Sequence, residues 1–509
     1  MPDVITLDGA SLDSFTTELI AAGFEPVRGT DRREWDGPCP QPLAGLTPAT
    51  SMRIRIRDGW PFRHPHILVS ELPAEHVNAE GVVCLWAEDD NSRQWLTLNG
   101  INERIEEWAN AAARGFDDQD VALDAYLAFN RDRIGLATFD MAHVVRTGAH
   151  RGQWGRFHGT RQDHGGVHLQ TGKGPPGSLH GLWFHCGDMS PPPHDQASLR
   201  SLLTVGQQGY FDDLLTSALS EPLLILMVGN FHGAQDAVVL RVGPDVSGVG
   251  VALDVYEPAM TDDEVLCLRC GPDAEAVSEK HVVVFGLGAI GSHVAVLLAR
   301  CGVGSEHLID GEMLRPGNVV RHAAAKPLVG FQKVEATRME IEFRSPWTRV
   351  EKTPQAMWDP DEISKTVGGA DAIVDASGSA PLTEQLSRIA ERDSILLVSV
   401  SLYRDGSVSR VRRFRPGVDV PIHQRLDDQR FPIIPADSDT PASPKLELGC
   451  SAPVNNASPA AVVAASSLAS EVVLQELTAK GTLASEIIDV IRPLAAEHPF
   501  ETPGRYFYG

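Results

Sequence analysis

Residues 281–310 have the sequence HVVVFGLGAIGSHVAVLLARCGVGSEHLID, and this stretch defines the architecture of the C-terminal half of the chain. It begins with an apolar run, residues 282–285, of the kind found in parallel strands that are buried on both faces. Three glycines in G-x-G-x-x-G spacing come next: Gly286, Gly288 and Gly291. A helical pattern and a second apolar run follow and end at Asp310. The order predicts a strand–turn–helix–strand unit whose glycines and helix N-terminus admit a phosphate group.

The polar residues beyond this unit suit a triphosphate better than a dinucleotide. Asp310 stands nineteen residues after the last glycine, where an acidic side chain can reach ribose hydroxyls. Asn318, Arg321 and Lys333 follow it. Two fixed cations and an amide can hold the phosphates of ATP during attack at the α-phosphorus, whereas a dehydrogenase has no general need for them. An NAD-type Rossmann domain is therefore the less favoured interpretation.

This order resembles the ThiF/MoeB/ubiquitin-activating superfamily, whose motif combines G-x-G-x-x-G, an acidic pair, N-x-x-R and a lysine. The similarity extends from Lys280 to Leu477. It implies a Rossmann-like, ATP-dependent adenylating domain over residues 276–509 that forms a homodimer. The resemblance also implies the roles of the site residues: Gly286, Gly288 and Gly291 form the phosphate-binding turn, Asp310 holds the ribose, and Asn318, Arg321 and Lys333 face the phosphates.

The same resemblance implies a magnesium ligand near the end of a buried strand, residues 371–375. Family members place a metal-binding aspartate slightly later, where this sequence has Gly378. Mg²⁺ bridges the nucleotide phosphates and requires hard oxygen ligands. We therefore expect Asp375 to be the metal residue, at an offset from the family position.

A cysteine stands directly before the last long helical pattern. Cys450 follows a Pro- and Asp-rich loop, and the helix is predicted to begin with Ser458 as its N-cap and Pro459 in its first turn. A cysteine on a mobile segment can move to the adenylate, and the positive end of a nearby helix dipole lowers the pKa of its thiol. By resemblance to ubiquitin-activating enzymes, Cys450 collects the acyl group from the adenylate. A cysteine buried beside the helix is the alternative, and Ser451 is the candidate if the intermediate is an ester.

The N-terminal region predicts a helix over residues 9–22, an alternating strand over 49–57, a strand over 66–69 and an amphipathic helix after Trp95. Its motifs resemble the ubiquitin-conjugating fold: PFRHP at 61–65, His76-Val77-Asn78, Gly81, Cys84-Leu85 and Trp95. Valine replaces the proline of the family's H-P-N tripeptide. The resemblance implies an α+β domain over residues 1–130 with Cys84 as the nucleophile that carries a thioester. Asn78 then supplies an N–H to the oxyanion or orders the loop that holds Cys84, and His76 is structural.

The sequence of the middle region, residues 131–275, predicts a separate α/β or α+β linker domain with strands at 223–228 and 237–242. The histidines between His150 and His194 lack a metal-ligand spacing, so we expect them on solvated loops and strand ends. Cys267-x-x-Cys270 is a lone pair, which excludes a zinc site built from two such pairs. Arg269 lies before the adenylating strand, where relatives can place an arginine that reaches the nucleotide.

Composition excludes several classes of partner. The chain carries 44 Lys and Arg against 68 Asp and Glu, a formal net charge of −24, and such acidity opposes binding to nucleic acid. There is no run of about eighteen apolar residues, and MPDVITLDGA lacks the charged and apolar parts of a signal peptide. We therefore expect a cytoplasmic protein with no membrane partner. Seven scattered cysteines do not suggest a disulfide framework.

Together, the two resemblances imply one pathway. The adenylating domain makes an acyl-adenylate from ATP and a protein C-terminus, Cys450 and then Cys84 carry the acyl group as a thioester, and an amine on a target accepts it. This domain order is similar to that of fused bacterial enzymes of antiphage operons, which in CBASS attach a cGAS/DncV-like nucleotidyltransferase (CD-NTase) and elsewhere act on ubiquitin-like proteins. The alternative is a ThiF/MoeB-type sulfur-carrier adenylyltransferase, for which Cys84 is dispensable. A non-catalytic scaffold is the third interpretation.

Overall fold

The computed structural model describes residues 11–72, 74, 76–78, 80–87, 89–116, 134–172, 174–189, 193, 195–231, 234–425, 457–481, 483–494 and 500–508. The chain divides into two compact units, Met1–Asp262 and Asp263–Gly509. Within the described ranges the first unit contains an antiparallel sheet and a closed barrel, and the second contains one large mixed sheet.

The antiparallel sheet lies between residues 11 and 116, and its strands are neighbours in chain order. Its strands and helices are α1 (Leu12–Ala21), β1 (Glu25–Pro26), β2 (Glu34–Pro38), β3 (Ser51–Arg55), β4 (His66–Val69), β5 (Val82–Val83) and α2 (Leu98–Arg114). On β3, Met52 and Ile54 are buried, while the alternating Arg53 and Arg55 form ion pairs with acidic side chains of β2. The alternation therefore predicted this strand correctly, because one face packs on the core and the other meets water.

The region after residue 133 forms a closed barrel in the order β10-β11-β12-β6-β8-β7-β9. Its elements are β6 (Leu136–Phe139), α3 (Met141–Val144), β7 (Trp154–Arg161), β8 (Val167–Gln170), β9 (Leu179–Asp188), α4 (Gln196–Leu202), α5 (Val205–Ala218), β10 (Leu223–Phe231), β11 (Ala234–Pro244) and β12 (Val251–Met260). The predictions of strands at 223–228 and 237–242 are confirmed by β10 and β11. The predicted linker contains a closed barrel with helix α5 packed against it, and the expectation of loops for the Gly- and His-rich stretch is wrong, because this stretch forms paired strands.

The second unit is built on a sheet in the order β15-β14-β13-β16-β17-β18-β19-β20. Its elements are α6 (Asp263–Cys267), α7 (Ala274–Val277), β13 (His281–Phe285), α8 (Ala289–Arg300), β14 (Ser305–Ile309), α9 (Lys333–Arg344), β15 (Arg349–Thr353), α10 (Pro360–Val367), β16 (Ala372–Asp375), α11 (Ala380–Asp393), β17 (Leu396–Tyr403), β18 (Val408–Phe414), α12 (Pro459–Leu477), β19 (Glu486–Val490) and β20 (Gly504–Tyr508). The strands from β15 to β17 are parallel, and β18, β19 and β20 pair antiparallel.

The strand order places a topological switch point between β13 and β16, because the chain continues from β13 toward β14 on one side and returns to β16 on the other. In such sheets, ligands bind in the crevice outside the carboxyl ends of the strands at this point. The glycine motif follows β13 directly and therefore lies at that crevice.

Helix α12 packs into the core of the second unit. Its Ala465, Leu468 and Val472 are buried with residues of β13 and α8. The predicted N-terminus is confirmed, since the Ser458 side chain accepts from the Ala461 N–H. Among the described residues, α12 is also the one helix long and apolar enough to cross a membrane, and half of its most apolar part is buried in the protein. The C-terminal RYFY segment, for which a disordered tail is the general expectation, forms strand β20.

Candidate functional site

The glycine turn after β13 has the close backbone contacts that its motif predicts. Gly286 has a φ of +84°, and a Cβ there would lie 2.5 Å from the Ser377 Cα atom. A Cβ at Gly291 would lie 1.8 Å from the carbonyl oxygen of Gly286. Gly288 is the N-cap of α8, and a Cβ there would meet no atom within 4 Å. The turn is thus tight on the protein side and open where α8 begins, which suits a phosphate group.

Asp310 joins the end of β14 to this turn. Its Oδ2 atom accepts a hydrogen bond from the Leu287 N–H at 2.7 Å, and its Oδ1 atom accepts one from the Glu312 N–H at 2.7 Å. Each carboxylate oxygen can accept more than one hydrogen bond, so a ribose hydroxyl can still be bound. The position fits the predicted ribose contact, which stays a prediction.

His322 holds the other side of the same turn. Its Nε2 atom donates to the Leu287 carbonyl at 2.9 Å, because Nδ1 accepts from the Ala324 N–H at 2.9 Å and fixes the tautomer. Burial lowers its pKa to about 4, and the nearby charge of Lys333 acts in the same direction. His322 is therefore a neutral group that clamps Leu287, a role that no sequence motif indicated.

Lys333 is the buried cation of the crevice. It is the first residue of α9, is 6 % exposed, and forms an ion pair with the carboxylate of Glu312. The Glu312 side chain is 71 % exposed, and its hydrogen bond to Lys333 lowers its pKa. Since Asp310 binds the Glu312 N–H, the turn, the acidic pair and the lysine form one connected group. A phosphate oxygen can replace the exposed Glu312 carboxylate on the ammonium group.

The N-x-x-R segment lies against α8. The Asn318 Oδ1 atom accepts from the Arg315 N–H at 3.1 Å, within a 3-10 turn. The ring of His293, on α8, hydrogen-bonds the carbonyl of Arg321 at 3.2 Å. The structure thus brings the backbone of this segment beside the phosphate-binding helix, and the phosphate contacts of both side chains stay predictions.

Asp375 ends β16, is 2 % exposed and is surrounded by hydrogen-bond donors. Its Oδ1 atom accepts from the Ser377 N–H at 3.2 Å and from the Ser377 hydroxyl at 2.6 Å. Its Oδ2 atom accepts from the Thr383 hydroxyl and, at 3.0 Å, from the Ser399 hydroxyl. Through these four hydrogen bonds, Asp375 holds the end of β16 in place beside the glycine turn. Gly378, at the family's metal position, is exposed and has no side chain to offer.

A resident metal site of several protein ligands does not fit this donor set. The described residues contain no group of three or more His, Cys, Asp or Glu side chains that could hold a metal ion. Mg²⁺ commonly takes most of its ligands from nucleotide phosphates and water, with one or two carboxylates from the protein. The metal role of Asp375 therefore stays a prediction, and it requires the carboxylate to exchange one of its hydroxyl partners.

In the first unit, Cys84 is exposed just after β5. Its N–H donates to the carbonyl of His76 at 2.8 Å. The next residue is held from α2, where the Nε atom of Arg104 donates to the Leu85 carbonyl at 2.7 Å. The backbone on both sides of Cys84 is therefore anchored while its side chain meets solvent.

Asn78 organises the turn before β5. Its Oδ1 atom accepts from the N–H groups of Glu80 and Val82, both at 2.9 Å, which also identifies its Nδ2 atom. The backbone N–H of Asn78 donates to the Val82 carbonyl at 3.0 Å. The His76 ring packs edge-on against Phe116, with ring centroids 4.4 Å apart. Loop ordering by Asn78 is thus visible in the geometry, and its contact with an oxyanion stays a prediction.

Leu85 and Trp95 of the remaining motif residues are buried in the core of this region, whereas Phe62 is exposed. The Trp95 Nε1 atom donates to the Pro61 carbonyl at 2.8 Å, so the P-F-x-x-P turn is joined to the segment before α2. Trp86 and Trp95 pack edge to face with centroids 5.8 Å apart. The second predicted nucleophile, Cys450, and its neighbour Ser451 lie outside the described residues.

Comparison with known proteins identifies the second unit. Residues 266–485 match the model of the ThiF family. The protein y4oA of Sinorhizobium fredii is 32 % identical over 200 residues, which cover 36 % of this chain and 33 % of that protein. The SAMP-activating enzyme E1 of Haloferax volcanii is 29 % identical over 154 residues, which cover 30 % of this chain and 55 % of that protein.

The ATP-dependent ubiquitin transferase-like protein Cap2 of Enterobacter hormaechei is 26 % identical over 133 residues, which cover 26 % of this chain and 22 % of that protein. A crystal structure of E. coli MccB with ATP aligns with a TM-score of 0.35 and 20 % identity, covering 44 % of this chain and 63 % of that one. The chain spans less than two thirds of the length of each of these curated relatives. The chain therefore contains a ThiF-family domain, which occupies residues 266–485.

Proposed function

We propose that this chain is an ATP-dependent enzyme that adenylates the C-terminal carboxylate of a protein and transfers the acyl group to an amine. The observation that carries this proposal is the connected group of glycine turn, Asp310, Glu312 and buried Lys333 at the switch point of the sheet. Such a group supplies backbone donors and one desolvated cation to a nucleotide phosphate. The relatives whose names describe an activating enzyme and an ATP-dependent transferase support the same activity.

The first step is an attack of the substrate's carboxylate oxygen on the α-phosphorus of ATP. A new oxygen–phosphorus bond forms, the bond between the α-phosphorus and the bridging oxygen breaks, and pyrophosphate leaves. Lys333, with Arg321 and Asn318, stabilises the charge that collects on the leaving phosphates, while the glycine turn holds the phosphate backbone in place. Asp375 is the proposed protein ligand for Mg²⁺, which would neutralise further charge on the phosphates when bound.

The second stage is a relay between cysteines. The Cys450 thiolate attacks the acyl carbonyl and AMP leaves, after which the Cys84 thiolate attacks the thioester and Cys450 leaves as a thiolate. An amine then attacks the Cys84 thioester, the carbon–sulfur bond breaks so that Cys84 leaves as a thiolate, and the proton of the amine passes to solvent as the amide bond forms. The anchored backbone and exposed side chain of Cys84 support its part in this relay.

The architecture of residues 11–116 supports a ubiquitin-conjugating-like role for the N-terminal region. A helix, an antiparallel meander, a loop with an exposed cysteine and a second helix follow one another there. We accordingly propose a conjugating domain over residues 1–130, a linker over 131–275 and an adenylating domain over 276–509 that dimerises. A CD-NTase or a ubiquitin-like protein is the proposed substrate, in bacterial antiphage defence and in the cytoplasm.

A sulfur-carrier adenylyltransferase of the ThiF/MoeB type is the second candidate. The same nucleotide site supports this activity. Unlike the conjugation pathway, a sulfur-carrier adenylyltransferase does not require Cys84. The anchored backbone around Cys84 favours the conjugation pathway, since a domain that only docks a carrier protein has no need for an exposed thiol on an ordered loop.

Exchange of labelled pyrophosphate into ATP tests the adenylation step directly. The full chain is incubated with ATP, Mg²⁺ and the protein encoded beside it, in forms with and without the last residues of that protein. We expect exchange that requires the intact C-terminus and is lost in Lys333→Met. Exchange that is absent with wild type, or that ignores the C-terminus, would overturn the proposal.

A further inference from the structure

Strand β18 carries three buried arginines: Arg410, Arg412 and Arg413. Arg410 forms an ion pair with Glu486 at 2.9 Å. Arg413 pairs with Asp419 at 2.9 Å and with Glu476 at 2.7 Å. These partners are buried as well, so each of the two cations is neutralised where it lies.

Arg412 differs from its neighbours. It is 6 % exposed, yet it forms no ion pair among the described residues, and its one hydrogen bond there runs to the Ser399 hydroxyl at 3.4 Å. The Ser399 hydroxyl in turn donates to Asp375, whose oxygens already accept from three other donors. A buried cation without a direct counter-charge destabilises the folded state, so its presence calls for a functional explanation.

The position of Arg412 in the sheet indicates which ligand it meets. Asp375 pairs with Ser399, and Ser399 pairs with Arg412, so the three residues stand side by side across β16, β17 and β18. Neighbouring strands lie about 4.8 Å apart, which places Arg412 about 10 Å from β16 on the side away from β13. Lys333 belongs to the connection after β14, on the opposite side of the switch point.

This arrangement matches the geometry of displacement at phosphorus. The attacking and leaving oxygens lie roughly in line through the reacting phosphorus atom. If Lys333 holds the departing phosphates on the β14 side, the attacking carboxylate arrives from the side of β17 and β18, where Arg412 lies. An arginine is suited to that group because its guanidinium can bind a carboxylate through two parallel hydrogen bonds.

We propose that Arg412 binds the substrate carboxylate that becomes adenylated. It binds this carboxylate before the attack on ATP, and it continues to bind the acyl oxygen once the adenylate has formed. The inference rests on the proposed function and goes beyond it by naming the residue that recognises the acyl substrate. It makes Arg412 a substrate-binding residue, separate from the group that binds the nucleotide.

Two small molecules test this assignment by titration calorimetry with the full chain. AMP probes the nucleotide site alone, and 5′-O-(N-glycylsulfamoyl)adenosine adds an acyl carbonyl next to a stable phosphate substitute. The variants are Arg412→Met, Arg412→Lys and the control Arg388→Met, whose arginine lies on an exposed face of α11. Loss of a charge-assisted hydrogen bond should weaken binding of the acyl analogue about 10- to 100-fold in Arg412→Met. AMP should bind all variants within about twofold of wild type, and Arg412→Lys should recover part of the loss.

Thermal unfolding of the same variants separates a binding role from a structural one. Arg412→Met should unfold at the same or a higher temperature than wild type, because it removes an unpaired buried charge. Arg413→Met should unfold at a lower temperature, since it removes the guanidinium group that pairs with the buried carboxylates of Asp419 and Glu476.

Equal losses for AMP and the acyl analogue in Arg412→Met would assign Arg412 to the nucleotide phosphate and overturn the proposal. Unchanged binding of both probes would overturn it too. Failure of wild type to bind AMP would contradict the proposed function itself. That outcome differs from a selective loss of acyl-analogue binding, which concerns Arg412 alone.

Discussion

The ammonium group of Lys333 lies buried at the start of α9 and forms an ion pair with the exposed carboxylate of Glu312. The pair is asymmetric: the cation is fixed in the protein, and the anion can move into water. A ligand phosphate that replaces Glu312 would therefore find a desolvated cation already in position, which is the preorganisation that makes electrostatic catalysis effective.

Removal of this cation should reduce adenylation far more than it reduces stability. We expect Lys333→Met to lower the rate of pyrophosphate exchange by about 100-fold, because a preorganised charge at the reacting phosphates is lost. The measurement is the exchange rate at saturating ATP. Lys352→Met, which removes a half-exposed lysine paired with Glu335, is the control and should exchange at the wild-type rate. Equal rates for the two variants would contradict the role of Lys333.

The clamp on Leu287 by His322 should make the glycine turn sensitive to acid. Burial lowers the pKa of His322 to about 4 from an ordinary value of 6.5, so only the unfolded state takes up a proton between these values. Its contribution to stability is present above pH 6.5 and is lost as the pH falls toward 4, by about 3 kcal/mol in total.

Hydrogen exchange of the β13 amides in wild type and His322→Gln measures this contribution. The protection of wild type over the variant should be largest at pH 7 and should shrink as the pH is lowered through 5. A difference that stays constant over this range would contradict a buried neutral histidine.

Asn78 offers a way to separate loop ordering from catalysis. Its Oδ1 atom binds two backbone N–H groups, and Asn78→Asp keeps that acceptor while it removes the Nδ2 donor. We expect the fold to be retained and the discharge of a Cys84 thioester to lysine to slow by about 100-fold, the effect of losing one oxyanion donor. Asn78→Ala, which loses both functions, should in addition lower the thermal unfolding temperature. Wild-type discharge in Asn78→Asp would limit Asn78 to ordering the loop.

Asp375 should prove important for stability. Asp375→Ala removes the acceptor of two serine hydroxyls and one N–H group, while the Thr383 hydroxyl keeps the Ser379 carbonyl, and we expect the folded state to lose about 3 kcal/mol. Asp375→Asn, which perturbs the fold less than Asp375→Ala, tests whether Asp375 binds Mg²⁺. If the buried carboxylate binds Mg²⁺, the concentration of Mg²⁺ for half-maximal exchange rises in this variant, and an unchanged requirement would restrict Asp375 to its structural role.

Periodicity and glycine spacing predicted the elements around the nucleotide site closely. Strands β13 and β16 and the start of α12 lie where the apolar runs and the Ser458 cap placed them. These features depend on neighbours along the chain, which a sequence displays directly.

Contacts between distant segments could not be predicted in the same way. His322 acquires its role from Leu287, and Arg412 acquires its significance from the lack of a direct ion pair in the described part of the fold, since Glu486, opposite it on β19, pairs with Arg410. The barrel was missed because Gly- and His-rich segments carry a weak strand signal, and their pairing is decided by partners far along the chain.

Mass spectrometry of acyl adducts tests the central claim most directly. Wild type, Cys84→Ala and Cys450→Ala are incubated with ATP, Mg²⁺ and the neighbouring protein, then compared with and without a reducing agent. We expect thiol-sensitive adducts on both cysteines of wild type, with the adduct of Cys84→Ala confined to Cys450 and none formed by Cys450→Ala. Adenylate formation without any adduct on Cys84 in wild type would contradict conjugation and leave the sulfur-carrier interpretation.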